Sequence, residues 1–170
     1  LTDARYFAAM GVDWIGFNMG IDNPLTIEHV KAFANWVEGP EFFLDVRGRA
    51  ETEIAEMLGN FQVAGLLSDA GTPLTHYSGK TIGIFINGDG VDGLTDTLIY
   101  THEQWEQHVT AANSVSAEEV WVEVHNVEDL ENLKGSIEMI TGIVVSGGAE
   151  QKVGMKSYDD LDELFEHVRG

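Results

Sequence analysis

Cysteine is absent from this 170-residue chain, which excludes disulfides and thiolate metal sites within it. Cationic side chains are scarce. Nine Lys and Arg stand against 29 Asp and Glu, a formal net charge of −20. No nucleic acid is therefore expected as a partner, because neutralising phosphates takes clustered Lys and Arg. The same balance disfavours a surface resting on anionic lipid. No apolar run approaches the ~20 residues needed to cross a bilayer, so no membrane is expected as a partner. With no secretory pattern at the start, the expected compartment is the cytoplasm. The acidity reads as a solvated, self-repelling surface that favours solubility, and a salt-adapted source would give the same excess. Hydrophobic residues still make up 44%, enough for a sizeable core.

What is present alternates between strand and helix. Val12 to Asn18 is a short apolar run bounded by glycine and predicts a buried strand. Thr26 to Glu38 puts Ile27, Val30, Phe33, Ala34 and Val37 on one helical face. Further strands are predicted at 41–47, 62–68, 81–87, 96–101, 119–124 and 140–146, that at 81–87 being rich in β-branched residues. Helices are predicted at 2–10, 50–58, 103–112, 127–133 and 158–168. Asp159 and Asp160 sit in the first turn of the last, where carboxylates suit the helix dipole. Asp69 to Lys80 and Gly88 to Thr95 read as loops.

Seven strands in alternation with helices predict an α/β fold with a parallel sheet. The opening helix would itself follow a strand, so an eighth strand is expected just before Leu1. Eight such units make a closed TIM-type (β/α)8 barrel with trimmed helices. The strand starts are only about 21 residues apart, against the ~30 of a full strand–helix unit. An open doubly wound sheet is the competing architecture. No linker or composition shift divides the chain, so residues 1–170 read as a single domain.

In a barrel, chemistry collects at the strand C-terminal ends. Those tips are Asn18, Asp45, Arg47, Asp69, Asn87, Tyr100, His102, Glu123 and His125. Asp45 and Arg47 share a strand face with Phe43, and Glu123 and His125 share one with Trp121. One reading is a ligand site in which Arg47 meets an anion and His125 or Glu123 moves a proton. The other is an internal network in which Arg47 pairs with Asp45 or Glu123. Ser146-Gly147-Gly148-Ala149 is a small-residue turn after a strand, where backbone N–H groups can approach an oxyanion. It also reads simply as a tight turn. His102, His125, Glu123, Asp45 and Asp69 are suitable metal-ligand types, but no local ligand spacing appears. No metal and no cofactor are expected. His29, His108 and His167 are expected on the surface, and Trp14, Trp36 and Trp105 in or beneath the core.

The two ends of the chain resemble the phosphoribosylanthranilate isomerase family. The stretch Leu1-Thr-Asp-Ala-Arg through Gly11-Val-Asp-Trp-Ile-Gly-Phe17 resembles the segment after that family's first strand. Val145-Ser-Gly-Gly-Ala-Glu150 and Gly154-Met-Lys156 resemble its closing phosphate-loop signature, and Asn23-Pro24 its Ser-Pro. The resemblance implies the barrel, a tryptophan-pathway context and an Amadori isomerisation of a phosphorylated sugar amine. It implies a small phosphorylated or anionic ligand held by Ser146, Gly147, Gly148 and Ala149, with Asp45, Arg47 and Asn87 at neighbouring tips. Several positions depart from the family. Its base, a Cys, falls two residues before Leu1. Its acid, an Asp, is replaced by Tyr100, a much weaker acid with an ordinary pKa near ~10. Its aromatic-carboxylate Arg becomes Leu25, and its seventh-strand Gly-Gly becomes His125-Asn126. The parent activity is therefore expected to be lost or altered. Alternatives are a non-catalytic barrel that binds a small anion or a partner, and a metal-assisted lyase or hydrolase using His125 and Glu123. Trimmed helices would leave apolar staves open, which predicts a homodimer.

Overall fold

A computed structural model describes residues 2–20, 23, 25–68, 74, 77–84, 95–111, 117–147 and 157–169. The elements run in the expected alternation. They are α1 (Thr2–Ala9), β1 (Trp14–Asn18), α2 (Ile27–Ala34), β2 (Glu41–Asp45), α3 (Glu51–Leu58), β3 (Gly65–Leu67) and β4 (Lys80–Ile84). Then follow β5 (Thr97–Thr101), α4 (His102–Thr110), β6 (Glu119–Glu123), α5 (Val127–Leu133), a 3-10 turn at Ile137–Met139, β7 (Gly142–Val144) and α6 (Asp159–Arg169). All seven strands read from the sequence are present, each equal to or shorter than expected at its described ends except β4, which starts at Lys80. Residues 85–87 of the predicted fourth strand, with Asn87, lie outside the described residues, as do Asp69, Gly148 and Ala149. Most of the two expected loops lies there too.

The chain divides into two compact units, Leu1–Ile84 with Val91–Thr97, and Phe85–Gly90 with Leu98–Gly170. In the first unit the strands pair in chain order, all parallel. Trp14 to Asn18 align with Glu41 to Asp45, Phe43 to Asp45 with Gly65 to Leu67, and Gly65 to Leu67 with Lys80 to Ile82. Alternation then sorts the side chains. Ile15, Phe17 and Leu44 join Val30 and Phe33 of α2 and Ile54 of α3 in the core. Phe17 and Phe33 meet edge to face at 5.7 Å, with Phe42 5.8 Å from Phe17. Each such fully buried side chain contributes roughly 1.5–3 kcal/mol. The opposite face carries Trp14, Gly16, Asn18, Phe43 and Asp45. Gly16 is required there, because a Cβ would overlap the Phe43 ring of the adjacent strand.

Asp96 closes the first unit. Its Oδ2 accepts from the Thr81 backbone N–H (2.7 Å) and hydroxyl (2.9 Å), and the Asp96 N–H donates back to the Thr81 carbonyl (3.0 Å). The Thr81 N–H foremost, then its hydroxyl and Lys80, hold the Asp96 carboxyl below its ordinary value. A depressed carboxylate gives stability that is present above its unfolded value and lost as pH falls through its folded one. Asp96→Asn is therefore expected to flatten the acid limb of the stability profile below about pH 4. Thermal melts of both proteins across that limb check it, and parallel profiles would refute it.

In the second unit β6 and β7 pair in parallel, Trp121 to Glu123 against Gly142 to Val144. The core is built on α4. Trp105 has no exposed surface. Its ring lies 5.3 Å from Tyr100, edge to face, and 5.6 Å from His108, stacked. The Trp105 Nε1–H donates to Ser136 Oγ (2.9 Å), which donates to the Leu133 carbonyl (3.3 Å), so α4 is tied to the end of α5. Two expectations are corrected. His108 is buried, because it stands three residues after Trp105 on the same helical face. Trp36 is 55% exposed, because α2 ends at Ala34 and the helical period no longer aims it inward. Arg5 of α1 covers its ring at 4.5 Å.

Candidate functional site

Each unit presents its own set of polar side chains at strand C-terminal ends. In the first, β1 ends at Asn18 and β2 at Asp45, aligned in register. Asn18 Oδ1 accepts the Gly20 N–H (2.8 Å), closing a turn. Asp45 takes both ends of the Arg47 guanidinium, Nε at 2.9 Å and the terminal nitrogen at 2.6 Å, and the Arg47 N–H at 3.2 Å. Arg47 is 43% exposed at its side chain, so this pair adds little to stability and mainly fixes the guanidinium's direction. Arg49 Nε donates to the Met19 carbonyl (2.6 Å), tying the β2–α3 turn to the end of β1. Gly48, at φ +79°, lets the chain turn between the two arginines.

In the second unit β6 ends at Glu123, with Ser146 two residues past β7 on the matching face. Ser146 Oγ donates to Glu123 Oε1 at 2.6 Å. Trp121 lies against Gly142, where a Cβ would come within 2.9 Å of its ring. His125 is exposed, and its backbone N–H donates to Asp129 Oδ2 at 2.8 Å. Asn126 caps α5, its Oδ1 accepting the Asp129 N–H at 2.9 Å. Asp129 was missed in the sequence. Its signal was the Asn-x-x-Asp spacing of 126 and 129, which marks a helix start.

The structure thus brings Ser146 to Glu123 and, separately, Asp45 to Arg47. It does not bring Tyr100 to a polar strand tip. Tyr100 is 1% exposed and packs on Trp105 and His108 of α4, at 5.3 and 5.2 Å. Burial pushes its phenol above the ordinary value, making it a still weaker acid. Gly147 follows Ser146 in the open. Among the described residues no three His, Asp or Glu side chains gather so as to hold a metal ion, and no helix is long and apolar enough to cross a membrane.

No family model and no curated protein sequence matches the chain. Solved structures do match over its whole length. A phosphoribosylanthranilate isomerase in complex with reduced 1-(o-carboxyphenylamino)-1-deoxyribulose 5-phosphate is 12% identical, with a TM-score of 0.75, covering 100% of this chain and 94% of that one. The Thermus thermophilus phosphoribosylanthranilate isomerase is 15% identical, with a TM-score of 0.71 and coverage of 99% and 93%. A monomeric form generated from the dimeric Thermotoga maritima enzyme is 13% identical, with a TM-score of 0.74 and coverage of 100% and 94%. The chain has the phosphoribosylanthranilate isomerase fold. The resemblance read at its two ends therefore holds at the level of the fold. In a (β/α)8 fold the strand C-terminal ends are where chemistry is placed, and the polar groups of each unit described above stand at such ends.

Proposed function

We propose that this chain is a phosphoribosylanthranilate isomerase-like protein of the tryptophan-pathway family in which the parent Amadori isomerisation is lost or altered. The Ser146–Glu123 hydrogen bond carries this reading. It spends the hydroxyl that opens the phosphate-loop signature on a carboxylate, and it sets a negative charge beside the place where a phosphate would sit. The burial of Tyr100 and the presence of Leu25 support it from the acid and aromatic-carboxylate positions. The fold would be a single TIM-type (β/α)8 domain over residues 1–170. In the second unit Glu123 and His125 would move protons and Ser146 and Gly147 would meet a small phosphorylated or anionic ligand; in the first, Arg47, oriented by Asp45, would meet an anion.

The deciding experiment is complementation. Expression of the chain in a tryptophan auxotroph lacking the isomerase is expected to give no growth, with soluble protein verified in the same cells. Growth at the rate given by an authentic isomerase would overturn the reading.

A second reading, binding without catalysis, is favoured by the bidentate Asp45–Arg47 pair, which pre-orients a guanidinium on a side chain that is 43% exposed. A homodimer in the cytoplasm accompanies either reading. Its support is the run of open apolar side chains Ile137, Met139 and Val168 in the second unit. Sedimentation at micromolar concentration is expected to give twice the chain mass, and a monomer would count against it.

A further inference from the structure

His102 opens α4 as a buried ring with carboxylates on both sides. Its Nε2 lies 3.4 Å from Glu106 Oε1 on the same helix, and its Nδ1 lies 3.8 Å from Asp129 Oδ1 on α5. Glu103, also on α4, feels both His102 and Asp129 electrostatically. These three carboxylates are the charged groups recorded against the ring among the described residues. Neither distance amounts to a hydrogen bond, and Nε2 is buried with no hydrogen-bond partner. The chemistry of the ring makes this informative. A neutral imidazole carries one N–H, so it can satisfy one carboxylate and must turn a lone pair on the other. An imidazolium donates from both nitrogens and satisfies both. Asp129 is also the residue that holds the next turn, because its other oxygen accepts the His125 N–H at 2.8 Å.

We propose that His102 is a proton-operated latch between α4 and α5. Taking up a second proton, the ring bonds Glu106 through Nε2–H and Asp129 through Nδ1–H. That fixes Asp129, and with it the β6–α5 turn that carries His125. Losing the proton releases one of the two carboxylates and loosens the turn. Imidazole is the side chain that changes charge most readily, so a proton can operate the latch. Its partners exist only in the folded chain. The sign follows: proton uptake at the ring favours the folded chain over the unfolded one. The latch stands whether or not the tip binds a ligand, so failure of the complementation result leaves it untouched.

Nitrogen NMR of the uniformly nitrogen-15-labelled full chain tests it. The measurement uses the His125→Asn variant, which removes the exposed ring and keeps the backbone amide. Both His102 ring nitrogens are expected to carry protons at the low-pH end, and the residue-125 amide is expected to move with the same midpoint. Adding Asp129→Asn is expected to abolish that movement. A ring that keeps a single proton throughout, or an amide that ignores it, would overturn the proposal. In melts, the wild-type chain is expected to gain about 2–4 °C over His102→Gln on going from high to low pH, the scale of one modest interaction in a chain this size. Equal pH profiles would also overturn it. Should His102→Gln fail to fold, the ring and amide titrations still decide.

Discussion

Replacing Glu123 by Gln is expected to raise the affinity of the Ser146 end of β7 for inorganic phosphate by at least about tenfold, which corresponds to ~1.4 kcal/mol. The reasoning is electrostatic. Glu123 and Ser146 are bonded at 2.6 Å, so an anion on the serine hydroxyl would stand within about 5 Å of a carboxylate. Two unit charges at that separation repel by about 3 kcal/mol at an effective dielectric of ~20. Salt and partial exposure reduce this, while a dianion increases it. Gln keeps the shape, removes the charge and supplies an N–H that an oxyanion can use. The bond to the serine also matters, because Ser146 Oγ has one proton to give and gives it to Glu123. Titration followed by phosphorus NMR at fixed ionic strength, with Ser146→Ala beside it, makes the comparison. Equal phosphate affinities for the wild-type and Gln proteins would remove the carboxylate from the explanation of the altered site.

Trp105→Ala is expected to cost about 3–5 kcal/mol, the range for truncating a large core aromatic. The indole has no exposed surface and packs on Tyr100 and His108, and its N–H is the bond to Ser136. At ~2–4 °C per kcal/mol for a chain of this size, the midpoint should fall by roughly 6–20 °C. Trp105→Phe separates the two contributions. It keeps most of the ring and gives up the hydrogen bond, so a loss nearer ~1–2 kcal/mol is expected. Denaturant melts check both. A Trp105→Ala protein within ~1 kcal/mol of wild type would mean the second unit does not depend on α4 for its core.

The rhythm of the fold was legible because its signals are local. β-branched and apolar runs marked the strands, and the 3.6 period marked α2 and α6. The closing Val-Ser-Gly-Gly and the opening segment sufficed to place the fold where overall identity is 11–17%. The direction of side chains was less legible. Period 2 puts Tyr100 and Leu98 on one face of β5, but only the Trp105 contact says that this face meets α4. With Leu98 as its companion, the apolar side was the available hint. His108 was misread as surface because its polarity outweighed its spacing from Trp105. The Ser146–Glu123 bond joins residues 23 apart in sequence. It follows only from the parallel register of β6 and β7, which no local pattern encodes.

The uneven placement of the indoles has a spectroscopic consequence. Trp14 and Trp36 belong to the first unit, Trp105 and Trp121 to the second. Trp36 faces water beneath the Arg5 guanidinium, whereas Trp105 is sealed from it. A soluble collisional quencher therefore reaches the first emitter long before the second. Fluorescence from chains retaining one or the other would follow each half of the molecule separately, without any attached dye.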